Sequence, residues 1–205
     1  MAARLEERGV ELRPDGADVV LLCVPDSAIE ATVRCLTPVV SQWVGHTSGA
    51  TPLSALGPHE RRFGLHPLQT FDRSGRPGQL DGAHAAVTGE TDGGREIGRE
   101  LALLLGLEPF DLDDADRALY HAGAAIASNY LVTLHRAASE VFQEAGAPPA
   151  GLELLMRRVI DNGFELTGPI ARGDWETVER HLEAIRARKP RLEPLYRVLA
   201  EATAP

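Results

Sequence analysis

The sequence predicts an α/β fold: a parallel sheet in the first half, followed by an all-helical C-terminal region. Three observations carry this. Short apolar runs of strand length alternate with helical segments up to about residue 112. The first run, Ala17 to Val24, is almost continuously apolar and partly β-branched, the pattern of a strand covered on both faces. From Asp114 onward no strand pattern recurs, and the apolar spacing is helical.

The elements follow in order. Met1 to Gly9 reads as the end of a helix closed by Gly9. Pro25 and Asp26 stop the first strand, and Asp26 or Ser27 caps a helix running to about Leu36. Gln42 to Thr47 and Arg62 to His66 are the second and third strands, with a brief helical or loop segment at Ser54 to Glu60. Phe71 to Gly82 is a loop rich in glycine, proline and charge. Ala83 to Thr88 is the fourth strand, and Asp92 to Leu105 a helix capped by Gly106. Leu119, Ala122, Ile126, Tyr130, Thr133 and Leu134 recur at helical spacing, which predicts one long helix from Asp114 to Ala145. Helices at Gly151 to Asn162, Trp175 to Arg188 and Leu192 to Ala202 complete the chain, with Asp174 as N-cap of the second of these.

Composition narrows the function. The 205 residues suit one domain or two small ones, and 43% hydrophobic residues suffice for a core. The net charge of -9, without a dense basic block, argues against nucleic-acid binding. No apolar run approaches the roughly 20 residues needed to span a bilayer. The polar, helical N-terminus is no signal peptide, so a cytoplasmic location is expected. Cys23 and Cys35 lack metal-ligand spacing and read as reduced core thiols, and no metal is expected.

Five motifs stand in order: VPDSAI (Val24 to Ile29), HTSGA (His46 to Ala50), LHPLQTF (Leu65 to Phe71), LYHAGAAIASNYLV (Leu119 to Val132) and LTGPIARGD (Leu166 to Asp174). Together they resemble a bacterial family of Rossmann-like proteins with a helical C-terminal domain called DUF2520. That family is similar to ketopantoate reductases, pyrroline-5-carboxylate reductases and prephenate dehydrogenases. The resemblance implies a partial Rossmann-like NAD(P)-binding domain, residues 1–112, and a helical DUF2520-type domain, residues 113–205, on the substrate side and in a homodimer interface. Such families begin with a strand, a GxGxxG turn, a helix and a second strand. None of the 20 glycines is separated from another by a single residue, so the motif is absent. The expectation is that about 35 to 45 residues, the size of one βαβ unit, are missing. The first strand is then left with an exposed edge, and dinucleotide binding is weakened.

The candidate site residues follow. His66, at a strand's carboxyl end, can hydrogen-bond a substrate oxygen and transfer a proton; the same residue can also simply cap its strand. Gln69 can orient a carboxylate. The resemblance places Val24, Pro25, His46 and Gly49 along the cofactor. Gly49 allows close approach of backbone, and Ser48 can donate to a carboxylate or close a plain turn. On the long helix, Ser128 falls within roughly 20° of His121 and Asn129 about 80° away, taking 100° per residue. Related reductases often carry Lys and Asn on this helix, and His121 stands in the lysine's place. Thr167 and Arg172 precede a helix, and Arg172 can grip a carboxylate bidentately. The expected activity is NAD(P)-dependent reduction of a small 2-oxo or imino acid, with 2-dehydropantoate the best single substrate and His66, His121 and Asn129 catalytic. The alternative is a non-catalytic homodimer or partner-binding protein that has lost the cofactor.

Overall fold

A computed structural model of the chain describes every residue except Pro14, Arg73 and Pro205. The chain forms two compact units, residues 1–128 and 129–205. The strands end at Asp111, so the first unit carries on past the sheet into helix.

The first unit opens with α1 (Ala2–Glu7), which ends at Gly9 with φ +80°. A five-stranded sheet follows: β1 (Val19–Leu22), β2 (Trp43–His46), β3 (Arg62–Pro67), β4 (His84–Gly89) and β5 (Glu108–Asp111), in that spatial order. β1, β2 and β3 are parallel, β3 and β4 antiparallel, and β4 and β5 parallel. The sheet is thus mostly parallel, with one reversal that the sequence reading does not contain. The reversal follows from the connection between β3 and β4. Among its described residues it holds a loop and a short 3-10 turn at Pro77–Leu80, and no crossover helix to bring the chain back parallel.

Among the described residues β1 pairs only with β2, and Val19, Val20 and Leu21 are half-buried. The two-sided burial expected for this strand is corrected accordingly: only Leu22 is fully buried. α2 (Ile29–Arg34) follows a 3-10 turn at Asp26–Ala28 and buries Ile29 and Val33. Cys35 lies about 200° from Val33 around that helix and faces solvent; Cys23, just past β1, is exposed too. The expectation of two core thiols is therefore wrong for both.

Side-chain alternation divides the core in two. Phe63 and Leu65 of β3, with Ala85 and Val87 of β4, pack with Leu5, Ala102 and Leu105. Leu5 belongs to α1, and Ala102 lies in α3 (Asp92–Leu104). Leu22 and Val44 point to the other face and pack with Ile29, Val33, Leu53 and Leu56.

α4 (Arg117–Ala125) follows a 3-10 turn at Asp114–Asp116. A π-helical turn, Ile126–Tyr130, then precedes α5 (Leu131–Glu144). The single regular helix expected from Asp114 to Ala145 is corrected here. Ser128 Oγ donates to the Ala124 carbonyl at 2.7 Å, a back-bond that competes with regular helix geometry. The wide turn shifts the helical phase, so the 80° reckoned between His121 and Asn129 does not carry across it.

The second unit holds α5, α6 (Gly151–Asp161), α7 (Trp175–Arg188) and α8 (Glu193–Thr203). Asp174 caps α7 by accepting from the Thr177 N–H at 3.1 Å, as expected. Val178, Leu182 and Ala200 form its core with Ile170 and Tyr196. Glu144 of α5 pairs with Arg188 at 3.2 Å and Lys189 at 3.1 Å, and Glu140 pairs with Arg191. Leu131 and Val132 of α5 and Leu154, Leu155 and Ile160 of α6 remain exposed. No helix among the described residues is long and apolar enough to cross a membrane.

Candidate functional site

The carboxyl ends of β2 and β3 bring their next residues together because the two strands run parallel. Leu22, His46, Gly64 and Thr88 are register partners across four strands, so they share one face of the sheet. His66 lies on that face two residues beyond Gly64.

Arg117, the first residue of α4, lays its guanidinium on this face and is fully buried. Nη1 donates to Thr88 Oγ1 at 2.8 Å, and Nη2 donates to the Ser48 carbonyl. Asp114 Oδ1 lies 3.9 Å from Nε and also accepts the Leu53 N–H at 3.0 Å. Gly64 makes room: a Cβ there would stand 2.5 Å from Arg117 Nη1. A buried guanidinium held by neutral acceptors and one half-exposed carboxylate keeps most of its charge in a low-dielectric setting.

That charge acts on two histidines. His46 is fully buried, and burial first, then Arg117, lowers its pKa to about 4. His66 is lowered to about 4 by burial first, then by His121 and Arg117. Both rings are therefore neutral near pH 7.

Ser48 closes the turn after β2. Its hydroxyl accepts from the Thr51 N–H at 3.0 Å and lies 2.8 Å from Thr51 Oγ1. The next residue, Gly49, sits beneath two imidazoles. A Cβ on Gly49 would stand 2.4 Å from His121 Nδ1 and 2.9 Å from His66 Nε2. The two rings meet edge to face with centroids 5.6 Å apart. His121 Nδ1 is buried and has no hydrogen-bond partner among the described residues. On the far side of its ring, His66 Nδ1 lies 2.8 Å from the Tyr120 hydroxyl. Burial raises the Tyr120 pKa, so its phenol stays protonated.

A cavity of about 530 Å³ opens at the same end of the sheet, lined by Cys23, Thr47, His66, Pro67, Gln69 and Phe71. Gln69 is exposed, and its amide donates to the Gln79 carbonyl at 3.0 Å. Val24 is half-buried and Pro25 exposed, beyond the end of β1. The first unit thus brings Ser48, Gly49, His66 and His121 together and seals His46 beneath them. Ser128, half-buried, lies in the π-turn at the end of this unit. Asn129, Thr167 and Arg172 belong to the second unit. There Asn129 lies in the π-turn, and Thr167 and Arg172 are exposed around the 3-10 turn Ile170–Arg172.

Two residues at the heart of this cluster escaped sequence reasoning, Arg117 and Tyr120. The signal was there: Arg117, Tyr120 and His121 stand at i, i+3 and i+4, one stripe of α4.

Residues 83–203 match the family model described as "Domain of unknown function (DUF2520)". The chain belongs to the DUF2520 family. Within it, the matched segment takes in β4, α3 and β5 as well as the helical unit. No curated protein matches this DUF2520 chain in sequence. Among solved structures, it resembles BF3122 from Bacteroides fragilis, described as a candidate NADP oxidoreductase (TM-score 0.76, 20% identity, covering 94% of this chain and 77% of that one). It resembles protein TM1727 from Thermotoga maritima equally well (TM-score 0.76, 24% identity, 94% and 78%). It also resembles 1-pyrroline-5-carboxylate reductase from Streptococcus pyogenes (TM-score 0.58, 16% identity, 98% and 82%). These likenesses establish an α/β, Rossmann-like sheet followed by a helical region.

Proposed function

We propose that this DUF2520 chain is an NAD(P)-dependent oxidoreductase that reduces a small 2-oxo or imino acid. The observation that carries the reading is the convergence of His66 Nε2 and His121 Nδ1 over Gly49, at the carboxyl ends of parallel strands. Ligands of open α/β sheets bind at those ends. The descriptions of BF3122 as a candidate NADP oxidoreductase and of the Streptococcus protein as a 1-pyrroline-5-carboxylate reductase support the same class.

The described residues fit the nicotinamide end of such a cofactor: a cavity of about 530 Å³ is lined by the neutral imidazole of His66, by Cys23, next in sequence to Val24 and Pro25, and by Thr47 of the His46–Gly49 turn. They include no glycine turn for its phosphates. The turn after β1 carries Pro25 and Asp26, and the carboxylate of Asp26 opposes a pyrophosphate at that helix start. When bound, the nicotinamide supplies hydride. The chain's own groups handle the proton and the acid. In the first unit His66 or His121 donates to the substrate heteroatom, with Ser48, Gln69 and Ser128 as further substrate contacts; the roles proposed for the second unit are polarising a carbonyl for Asn129, gripping a carboxylate for Arg172 and substrate contact for Thr167. In this reading residues 1–112 serve the cofactor and 113–205 the substrate and a homodimer contact in the cytoplasm. The exposed apolar side chains of α5 and α6 favour that contact. The best single substrate is 2-dehydropantoate.

The exposed apolar side chains of α5 and α6 also favour a second reading, a partner-binding protein without cofactor. Thermal unfolding with NADPH and with NADH separates the two. A ligand at about 100 times its Kd adds about 2.7 kcal/mol and raises the Tm. Identical melting with and without saturating dinucleotide removes the oxidoreductase reading for this chain.

A further inference from the structure

Neutral imidazole carries one N–H, and which nitrogen bears it decides what His66 can do. The structure gives each nitrogen a different neighbour: Tyr120 Oη at 2.8 Å from Nδ1, and the Gly49 backbone, packed close beneath both imidazoles, before Nε2. A phenol O–H is more acidic than an imidazole N–H, and an unprotonated ring nitrogen accepts better than a phenol oxygen. The pair is therefore O–H···Nδ1, which leaves the ring proton on Nε2. The burial that keeps Tyr120 protonated and His66 neutral supports this pairing.

We propose that Tyr120 is a positioning residue that fixes the Nε2–H tautomer of His66, so that His66 and His121 Nδ1 together seat one carbonyl oxygen of the ligand above Gly49. His121 Nδ1 is buried, unpartnered and directed at the same point. A buried polar atom without a partner costs about 1–3 kcal/mol, which a ligand oxygen would relieve. A carbonyl oxygen has two lone pairs and can accept from His66 Nε2–H and also from His121 Nδ1 when that nitrogen carries the ring proton; an imine nitrogen offers one lone pair. The choice of a 2-oxo over an imino ligand rests on the oxidoreductase reading, whereas the tautomer does not.

Tyr120→Phe isolates the hydroxyl. Its ring keeps the edge contacts with His66 and Phe110, at centroid distances of 5.4 and 5.9 Å. In 15N-histidine-labelled full chain without ligand, long-range 1H–15N spectra should show His66 Nδ1 as unprotonated and Nε2 as protonated. In Tyr120→Phe the two shifts should move toward each other as the tautomers mix. A protonated Nδ1 in the unaltered chain, or unchanged shifts in the variant, overturns the assignment. Turnover of a 2-oxo acid should fall about tenfold in kcat in the variant, with KM unchanged. Loss confined to KM counts against the shared oxygen seat. A chain that shows the tautomer but turns over no 2-oxo acid contradicts the oxidoreductase reading and leaves the tautomer standing.

Discussion

Arg117 Nη1 donates to Thr88 Oγ1 at 2.8 Å, from a guanidinium that solvent barely reaches. The other arm of the fork holds the Ser48 carbonyl, so one side chain ties β4 to the turn after β2. Arg117→Ala removes both donors and leaves both acceptors buried beside a void. Stability should fall by about 2–4 kcal/mol in urea titrations. Arg117→Lys should recover only part of it, because an ammonium cannot reproduce the planar fork. Unchanged stability in Arg117→Ala would mean the contact holds nothing together.

Two neighbouring glycines should respond differently to alanine. At Gly49 the new methyl meets the ends of two side chains, His121 at 2.4 Å and His66 at 2.9 Å, so the rings swing aside. Stability should change by less than about 1 kcal/mol, while kcat/KM should fall by about 100-fold as the imidazoles leave position. At Gly64 the methyl meets Arg117 Nη1 at 2.5 Å in a filled interior. There the cost should be about 1–3 kcal/mol in stability.

The two depressed histidines set a pH dependence. In the unfolded chain an imidazole takes up its proton near pH 6.5, while His46 and His66 resist it down to about 4. Between those values the unfolded state binds more protons, so stability rises with pH across that window and levels off above it. Acidification from 6.5 to 4 should therefore destabilise the fold, with a slope of at most about 1.4 kcal/mol per pH unit for each histidine. His46→Gln should flatten the slope. A melting temperature that is constant across this window would refute the burial of neutral rings.

In the helical unit, Leu182→Ala opens a cavity between α7 and α8 and should cost about 2–4 kcal/mol. Asp174→Ala removes only the cap of α7 and should cost about 1 kcal/mol. The order of the two midpoints in chemical denaturation checks this. A cap loss as large as the core loss would mean that Asp174 does more than accept from Thr177.

Elements with local punctuation were legible from the residues. α7 runs Trp175–Arg188 as read, because Asp174 caps its start and Pro190 follows its end. β5 was not: its four residues, EPFD, include a proline that cannot donate to a ladder and a glutamate poor in strand propensity. As the outermost strand of the sheet it tolerates both. His66 and His121 were each singled out as candidates, but nothing local says that they touch. Tyr120 reaches His66 across 54 positions of chain, a contact that exists only once α4 lies on the sheet.

The sequence by itself determined where most strands and helices form, and that a sheet precedes a helical region. Those follow from short-range periodicity, caps and breakers, which act within a few residues. Only the tertiary structure decided that β4 runs against β3, that Arg117 lies buried beneath the HTSGA turn, and that two imidazoles share the space over Gly49. Each is a pairing between distant segments, fixed by which faces bury together, and no residue's immediate neighbours encode it.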